Sequence, residues 1–157
     1  MKPTIYLETS VVSFLAARSS KDLVIAGEQE STHRWWNEKR KNYDLYISKL
    51  VWQEAAQGNA VAAQRRLKFI RSLKWLQLTK DVFTLAHALI ERNAVPPNAG
   101  NDALHIALGA VYGLQFLLTW NFTHINNPAT EEQVRSICRE HDFHCPVICS
   151  PDQMLSL

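Results

Sequence analysis

Short apolar runs alternate with longer amphipathic stretches along this chain. Thr4 to Leu7 is a β-prone run that stops at Glu8. Thr9 or Ser10 can cap a helix over Val11 to Ala17. From Asp22 to Lys41 the apolar positions keep a helical period, with Trp35 and Trp36 three and four places beyond Thr32. Leu45-Tyr46-Ile47 reads as a second strand, ended by Ser48. A helix over Lys49 to Gln57 follows, closed by Gly58. The next helix spans Ala60 to Leu73, with Val61, Leu67, Ile70 and Leu73 apolar. Trp75 to Leu78 reads as a third strand, and Thr79 caps a helix from Asp81 to Arg92. Pro96-Pro97-Asn98 breaks the chain. Asn101-Asp102 opens an apolar helix from Ala103 to Tyr112, stopped by Gly113. Phe116 to Leu118 is a fourth strand, all apolar and so buried on both faces. After a polar turn, Asn121 to Asn127, Thr130 caps a helix to about His141. Val147 to Cys149 is a fifth strand, and Pro151 to Leu155 a tail turn.

Strands alternating with helices predict an α/β fold with a central, mainly parallel sheet flanked by helices. At 157 residues the chain fits one domain, residues 1–157. With 46% hydrophobic and 20% charged residues it can bury a core, so a disordered tail is excluded. The formal net charge of +2 is too mild to mark a nucleic-acid footprint by itself. The first apolar run is too short for a signal peptide, and no stretch suits a membrane span. Three cysteines do not make a disulfide framework. A cytoplasmic location with reduced thiols is expected.

Doubly wound sheets bind ligands outside the carboxyl ends of their strands, where the strand order reverses. Four polar residues answer to that description: Glu8, Glu54, Asp102 and Asn121. Taken singly, Glu54 reads as a solvated helix residue, Asp102 as an N-cap and Asn121 as a turn former. Glu8 is harder to explain that way, because a charge directly after a buried strand needs a partner. Gathered together, three carboxylates repel, and a hard divalent ion resolves the repulsion. Such clusters suit phosphodiester hydrolysis.

Four segments carry a resemblance: Tyr6-Leu7-Glu8-Thr9-Ser10, Ser48 to Glu54, Asn101-Asp102-Ala103-Leu104-His105-Ile106-Ala107, and Leu117-Leu118-Thr119-Trp120-Asn121. In order and spacing they resemble PIN domains, and more closely the VapC-like toxins of type II toxin–antitoxin systems. The resemblance implies a three-layer PIN-like domain with an about five-stranded sheet. It implies a Mg²⁺- or Mn²⁺-dependent endoribonuclease with an RNA substrate and a cognate antitoxin. Metal-binding roles would fall on Glu8, Glu54 and Asp102, with Asn121 orienting water or substrate. Ser10 and Thr119 would steady the site by hydrogen bonding. The family usually has Asp where this chain has Glu8, which moves the carboxylate out by roughly 1.5 Å. It usually has Asp where Asn121 stands, and an amide brings no charge. Weaker metal binding and a single ion are expected. Trp120, Asn121 and His124 resemble a subgroup with a Trp-Asn-x-x-His segment, which makes Asn121 a lineage feature.

His124 could touch substrate phosphate or simply sit in a solvated turn. His105, one turn beyond Asp102, reads as a packed histidine beside the site. Cys138, His141, His144, Cys145 and Cys149 lack the paired spacing of zinc modules and read mainly as core filling. Ala55 to Lys80 contains no acid but has Arg65, Arg66, Lys68, Arg71, Lys74 and Lys80. Such a face holds an RNA backbone or is merely solvated. The Trp35-Trp36 helix raises a homodimer. The alternative function is a weakened or inactive PIN-fold module that binds an antitoxin or RNA. A phosphoacceptor receiver domain would need an Asp after the third strand, where Thr79-Lys80 stands.

Overall fold

The computed structural model describes all residues, 1–157. Five strands, β1 (Thr4–Leu7), β2 (Asp44–Ser48), β3 (Lys74–Leu76), β4 (Phe116–Leu118) and β5 (Val147–Cys149), form one sheet. Its order is β3-β2-β1-β4-β5, and every neighbouring pair is parallel. Ile5 pairs with Leu45 on one side and Phe116 on the other. The chain leaves β1 in one direction and returns to its other side as β4, so the order reverses between β1 and β4.

Eight α-helices cover the sheet: α1 (Thr9–Ala16), α2 (Leu23–Glu38), α3 (Lys49–Ala55), α4 (Ala60–Ile70), α5 (Lys80–Glu91), α6 (Gly100–Val111), α7 (Glu131–Glu140) and α8 (Pro151–Leu155). Parallel connections are right-handed. That places α1 to α4 on one face and α5 to α7 on the other, in keeping with α1 packing on α2, α3 and α4 and with α5 packing on α6 and α7. The parallel sheet flanked by helices that the alternation predicts is therefore present, as are the three layers that the resemblance implies. Ile5, Tyr6, Leu7, Leu117 and Leu118 lie fully buried between them. Helix α6 is almost wholly buried from Ala103 to Ala110, and at Gly109 a Cβ would come within 3.0 Å of Pro146 Cγ. No helix is long and apolar enough to cross a membrane.

Several boundaries differ from the sequence reading for local reasons. Helix α1 starts at Thr9, and its cap is Glu8 rather than Thr9 or Ser10. Helix α2 ends at Glu38, and Arg40–Asn42 is a separate 3₁₀ turn. Helices α3 and α4 stop before Gln57 and Leu73. Apolar period continues past a helix end when the next loop also packs on the core, as Leu73 does. Strand β3 is the three residues Lys74–Leu76 and ends before Leu78. Helix α6 begins at Gly100, so Asp102 lies in its first turn. The tail is not a turn but the short helix α8, with a capping box between Ser150 and Gln153. Phe116 is half-buried, so β4 is fully covered only at Leu117 and Leu118.

Candidate active site

The carboxyl ends of β1 and β4 lie side by side, and the Glu8 N–H extends the ladder to Leu118 O at 3.1 Å. The chain turns into α1 directly after this bond, which drives the Glu8 side chain into the corner between the strands. Only 5% of Glu8 is exposed. Its Oε1 accepts from Ser10 Oγ and Thr119 Oγ1, both at 2.5 Å, and Oε2 accepts from the Ser10 N–H at 3.0 Å. Hydrogen bonds to an ionised acceptor are short and strong, which is how a buried carboxylate survives here. The Ser10 hydroxyl also accepts from the Trp120 N–H at 2.8 Å, and Thr119 Oγ1 from the Asn121 N–H at 2.9 Å. Ser10 and Thr119 thus fasten the start of α1 to the end of β4.

Glu54 reaches the same corner from α3. Its Oε1 accepts from Thr9 Oγ1 at 2.6 Å and meets His105 Nε2 at 2.7 Å. Oε2 has only a 3.4 Å contact from the Asn101 amide. Burial pushes the Glu54 carboxyl up, but the hydrogen bond and charge of His105, with Thr9 and Asn101, outweigh it and hold the pKa below its usual value.

His105 is fully buried on α6. Its Nδ1 lies 2.7 Å from the Tyr6 hydroxyl, which in turn lies 2.9 Å from Ser48 Oγ. The Val51 N–H donates to Ser48 Oγ at 3.4 Å. One assignment satisfies every group: Ser48 donates to Tyr6, Tyr6 to Nδ1, and Nε2–H to Glu54. Burial disfavours the charged imidazole, but the Glu54 bond and the charges of Glu8, Glu54 and Asp102 outweigh it and raise the pKa. Burial, with Glu8 and Glu54 nearby, also pushes the Tyr6 phenol well above its usual value despite the Ser48 bond.

Asp102 faces the cluster from the first turn of α6, half-buried. Burial raises its pKa, Asn121, His105 and His124 pull it down, and the Glu8 charge adds to the rise. Asn121 follows β4 and accepts the His124 N–H at its Oδ1, 3.0 Å away. That bond forms a tight turn and turns the Asn121 amide toward Asp102. His124 therefore enters through its backbone, with its ring acting on Asp102 only as a nearby charge.

Of the four residues singled out, Glu8 and Glu54 meet at one pole, and Asp102 and Asn121 lie beside each other next to them. One ligand atom each from Glu8, Glu54 and His105 lies within 4.8 Å of the others. Both His105 nitrogens already have partners, so His105 is better placed to hold Glu54 than to bind an ion. Oxygen donors from three carboxylates suit a hard cation such as Mg²⁺ or Mn²⁺. Glu54 Oε2 and the Asp102 carboxylate keep the most free acceptor capacity. Tyr6, Ser48, Thr9 and Asn101 escaped the sequence reading. Tyr6 had one readable signal: it lies two places before Glu8 on a strand, hence on the same face, and a buried phenol needs a partner. The zinc candidates are free cysteines, Cys138, Cys145 and Cys149, all buried. The Trp35 and Trp36 rings are buried within the chain, whereas Leu23, Val24 and Ile25 at the start of the same helix are exposed.

No protein-family model matches the chain, and no curated protein matches it. Solved structures match its fold. VapC20 of Mycobacterium tuberculosis, a sarcin-ricin loop cleaving toxin, is similar with a TM-score of 0.59 at 17% identity, over 76% of this chain and 92% of that one. VapBC2 of Rickettsia felis, bound to a DNA fragment from its promoter, gives 0.58 at 13% identity over 94% and 98%. VapBC-1 of nontypeable Haemophilus influenzae gives 0.57 at 12% over 94% and 98%. The fold is therefore the VapC-like PIN fold.

Proposed function

We propose that this chain is a metal-dependent ribonuclease of VapC type that hydrolyses RNA phosphodiesters at the Glu8–Glu54–Asp102 pole. One observation carries the reading: Glu8 and Glu54, from separate stretches of chain, are held together at the switch point of the sheet by a dedicated hydrogen-bond frame, with Asp102 beside them. Glu8, Asp102 and Glu54 would hold Mg²⁺ or Mn²⁺. When bound, such an ion stabilises charge on a phosphoryl oxygen and makes water more acidic. Glu54 is positioned by His105 and Thr9, and its freer Oε2 orients a water or takes its proton. Ser10 and Thr119 keep Glu8 in place, and Asn121 orients water or substrate beside Asp102. The test is RNA cleavage with Mg²⁺ or Mn²⁺, compared with Asp102→Asn. Equal cleavage by both proteins, or none by either, overturns the catalytic claim.

A second reading has its own support. Glu8 already accepts three hydrogen bonds, and the Asn121 oxygen is engaged by its own turn. A PIN-fold module with a weakened site, binding an antitoxin or RNA, fits those facts. Calorimetric titration with Mn²⁺ separates the two, since absence of binding at millimolar metal favours the inactive module. The VapBC neighbours support a cognate antitoxin as partner, and a cytoplasmic setting is part of the same proposal. A homodimer belongs to the same reading, and a monomer mass by light scattering at tens of micromolar removes it.

A further inference from the structure

At the amino end of β2, away from the acids, the chain forms an open cavity of about 820 Å³. Its floor is apolar, built from Leu15 and Ala16 of α1, Trp36 of α2, Leu45 of β2 and Phe69 of α4. Lys2, Arg40, Lys41, Arg65 and Lys68 line it as well, and no acidic side chain does. None of these cations takes part in an ion pair of the chain. Arg40 is laid flat on the aromatic wall, its guanidinium carbon 4.4 Å from the centre of the Trp36 ring. Phe69 meets the same indole edge-on at 5.6 Å.

Solvated lysines near helix ends are ordinary. A buried guanidinium N–H without an acceptor is not, and Arg65 Nε is such a group. Its neighbour Arg66 turns away to the carbonyl oxygens of Ala55 and Gln57, so the two adjacent arginines have different duties. Arg65 and Lys68, one helical turn apart, share a face of α4.

The lining calls for a ligand with a flat, weakly polar body and several anionic oxygens close together. A phosphate presents those oxygens in the geometry a guanidinium fork prefers. A base supplies a body that stacks on aromatic rings and on arginine planes. The volume is that of a small-ligand site. We propose that this cavity binds a nucleotide unit, its phosphate taken by Arg65 and Lys68 and its base resting on the aromatic floor beside Arg40. The unit comes either as a free mononucleotide or as one residue of a strand. The site is separate from the nuclease reading, since Lys2 and Tyr43 precede β1 and β2 whereas Glu8 follows β1.

The experiment titrates adenosine 5′-monophosphate, and separately a short single-stranded oligoribonucleotide, into the full chain in EDTA. Tryptophan fluorescence and calorimetry read the binding, and no cleavage intervenes. Saturable binding is expected, with Arg65→Lys and Lys68→Gln each weakening it about tenfold, the size of one lost charge-assisted contact. Arg65→Lys keeps the charge and removes the guanidinium fork, and Lys68 is exposed, so neither threatens folding. Lys21→Gln, at an exposed lysine outside the cavity, should bind as the parent does, which ties the losses to the lining and, in EDTA, keeps the result independent of catalysis. Comparable affinity for the mononucleotide and the strand assigns a free ligand; binding of the strand alone, with the same sensitivity, assigns a nucleotide within RNA. Saturation by neither probe, unchanged binding in both variants, or equal binding of a hexaglutamate peptide overturns the proposal.

Discussion

The two poles of the sheet handle charge in opposite ways. At the carboxyl ends of the strands, the acidic side chains are buried or half-buried, and Glu8 and Glu54 are tied to named donors. Around the basic cavity, cations stand without counter-ions, and one guanidinium nitrogen is buried with no acceptor at all. The acidic pole is rigidified from within, because removing any donor strands a desolvated carboxylate. The basic pole has no such internal frame, and its charges gain partners only from outside. On the readings proposed above, the preorganised pole is the place for chemistry and the pole of unpartnered charge the place for docking.

The largest effect should come from the acidic pole. Asp102→Asn is expected to cut RNA cleavage by about 100-fold or more, in the range reported when a metal site loses a supporting group. Single-turnover assays in Mn²⁺ check it. Next comes Tyr6→Phe, which deletes one hydroxyl and leaves His105 Nδ1 and Ser48 without their shared partner. It should cost about 1–3 kcal/mol, seen as a fall of roughly 2–4 °C in Tm per kcal/mol. A smaller effect is expected from pH in metal-free protein. His105 has its folded pKa raised, so its contribution is full below the unfolded value and fades as pH rises through the folded one. Glu54 has its pKa lowered, so its contribution is full above the unfolded value and fades as pH falls through the folded one. The pair should therefore stabilise most between those limits, and His105→Gln should flatten the alkaline decline in urea-unfolding curves. The smallest effect belongs to the basic pole: Lys68→Gln should change stability by no more than about 0.5 kcal/mol. A large loss there would erase the contrast between the poles.

Much of the sheet is readable from the pattern alone. Strands β1, β4 and β5 fall where the apolar runs predict them, because each short run is bounded by turn residues or by a polar side chain. Helix ends are less legible, since a packed loop such as Leu73 keeps the apolar period after the backbone has left the helix. The candidate residues stand at strand ends, and topology brings those ends together, so their convergence follows once the strand order is known. The hydrogen-bond frame is another matter. Tyr6 and His105 are 99 positions apart, and Ser10 and Thr119 are 109 apart. Nothing in local propensity joins them. Glu8 is also an unusual helix cap, since Glu is not among the favoured capping residues. Its choice makes sense only when Thr119, from the far side of the switch point, is seen to share the carboxylate.

The link between Glu8 and Thr119 also imposes an order on biosynthesis. Residue 8 and its local donor Ser10 emerge from the ribosome early, but the second hydroxyl that anchors Glu8, from Thr119, is made only after most of the chain. Domains generally fold as units during translation. A nascent polypeptide that stops before β4 thus carries Glu8 without its bond to Thr119, and the corner that buries the carboxylate is not yet closed.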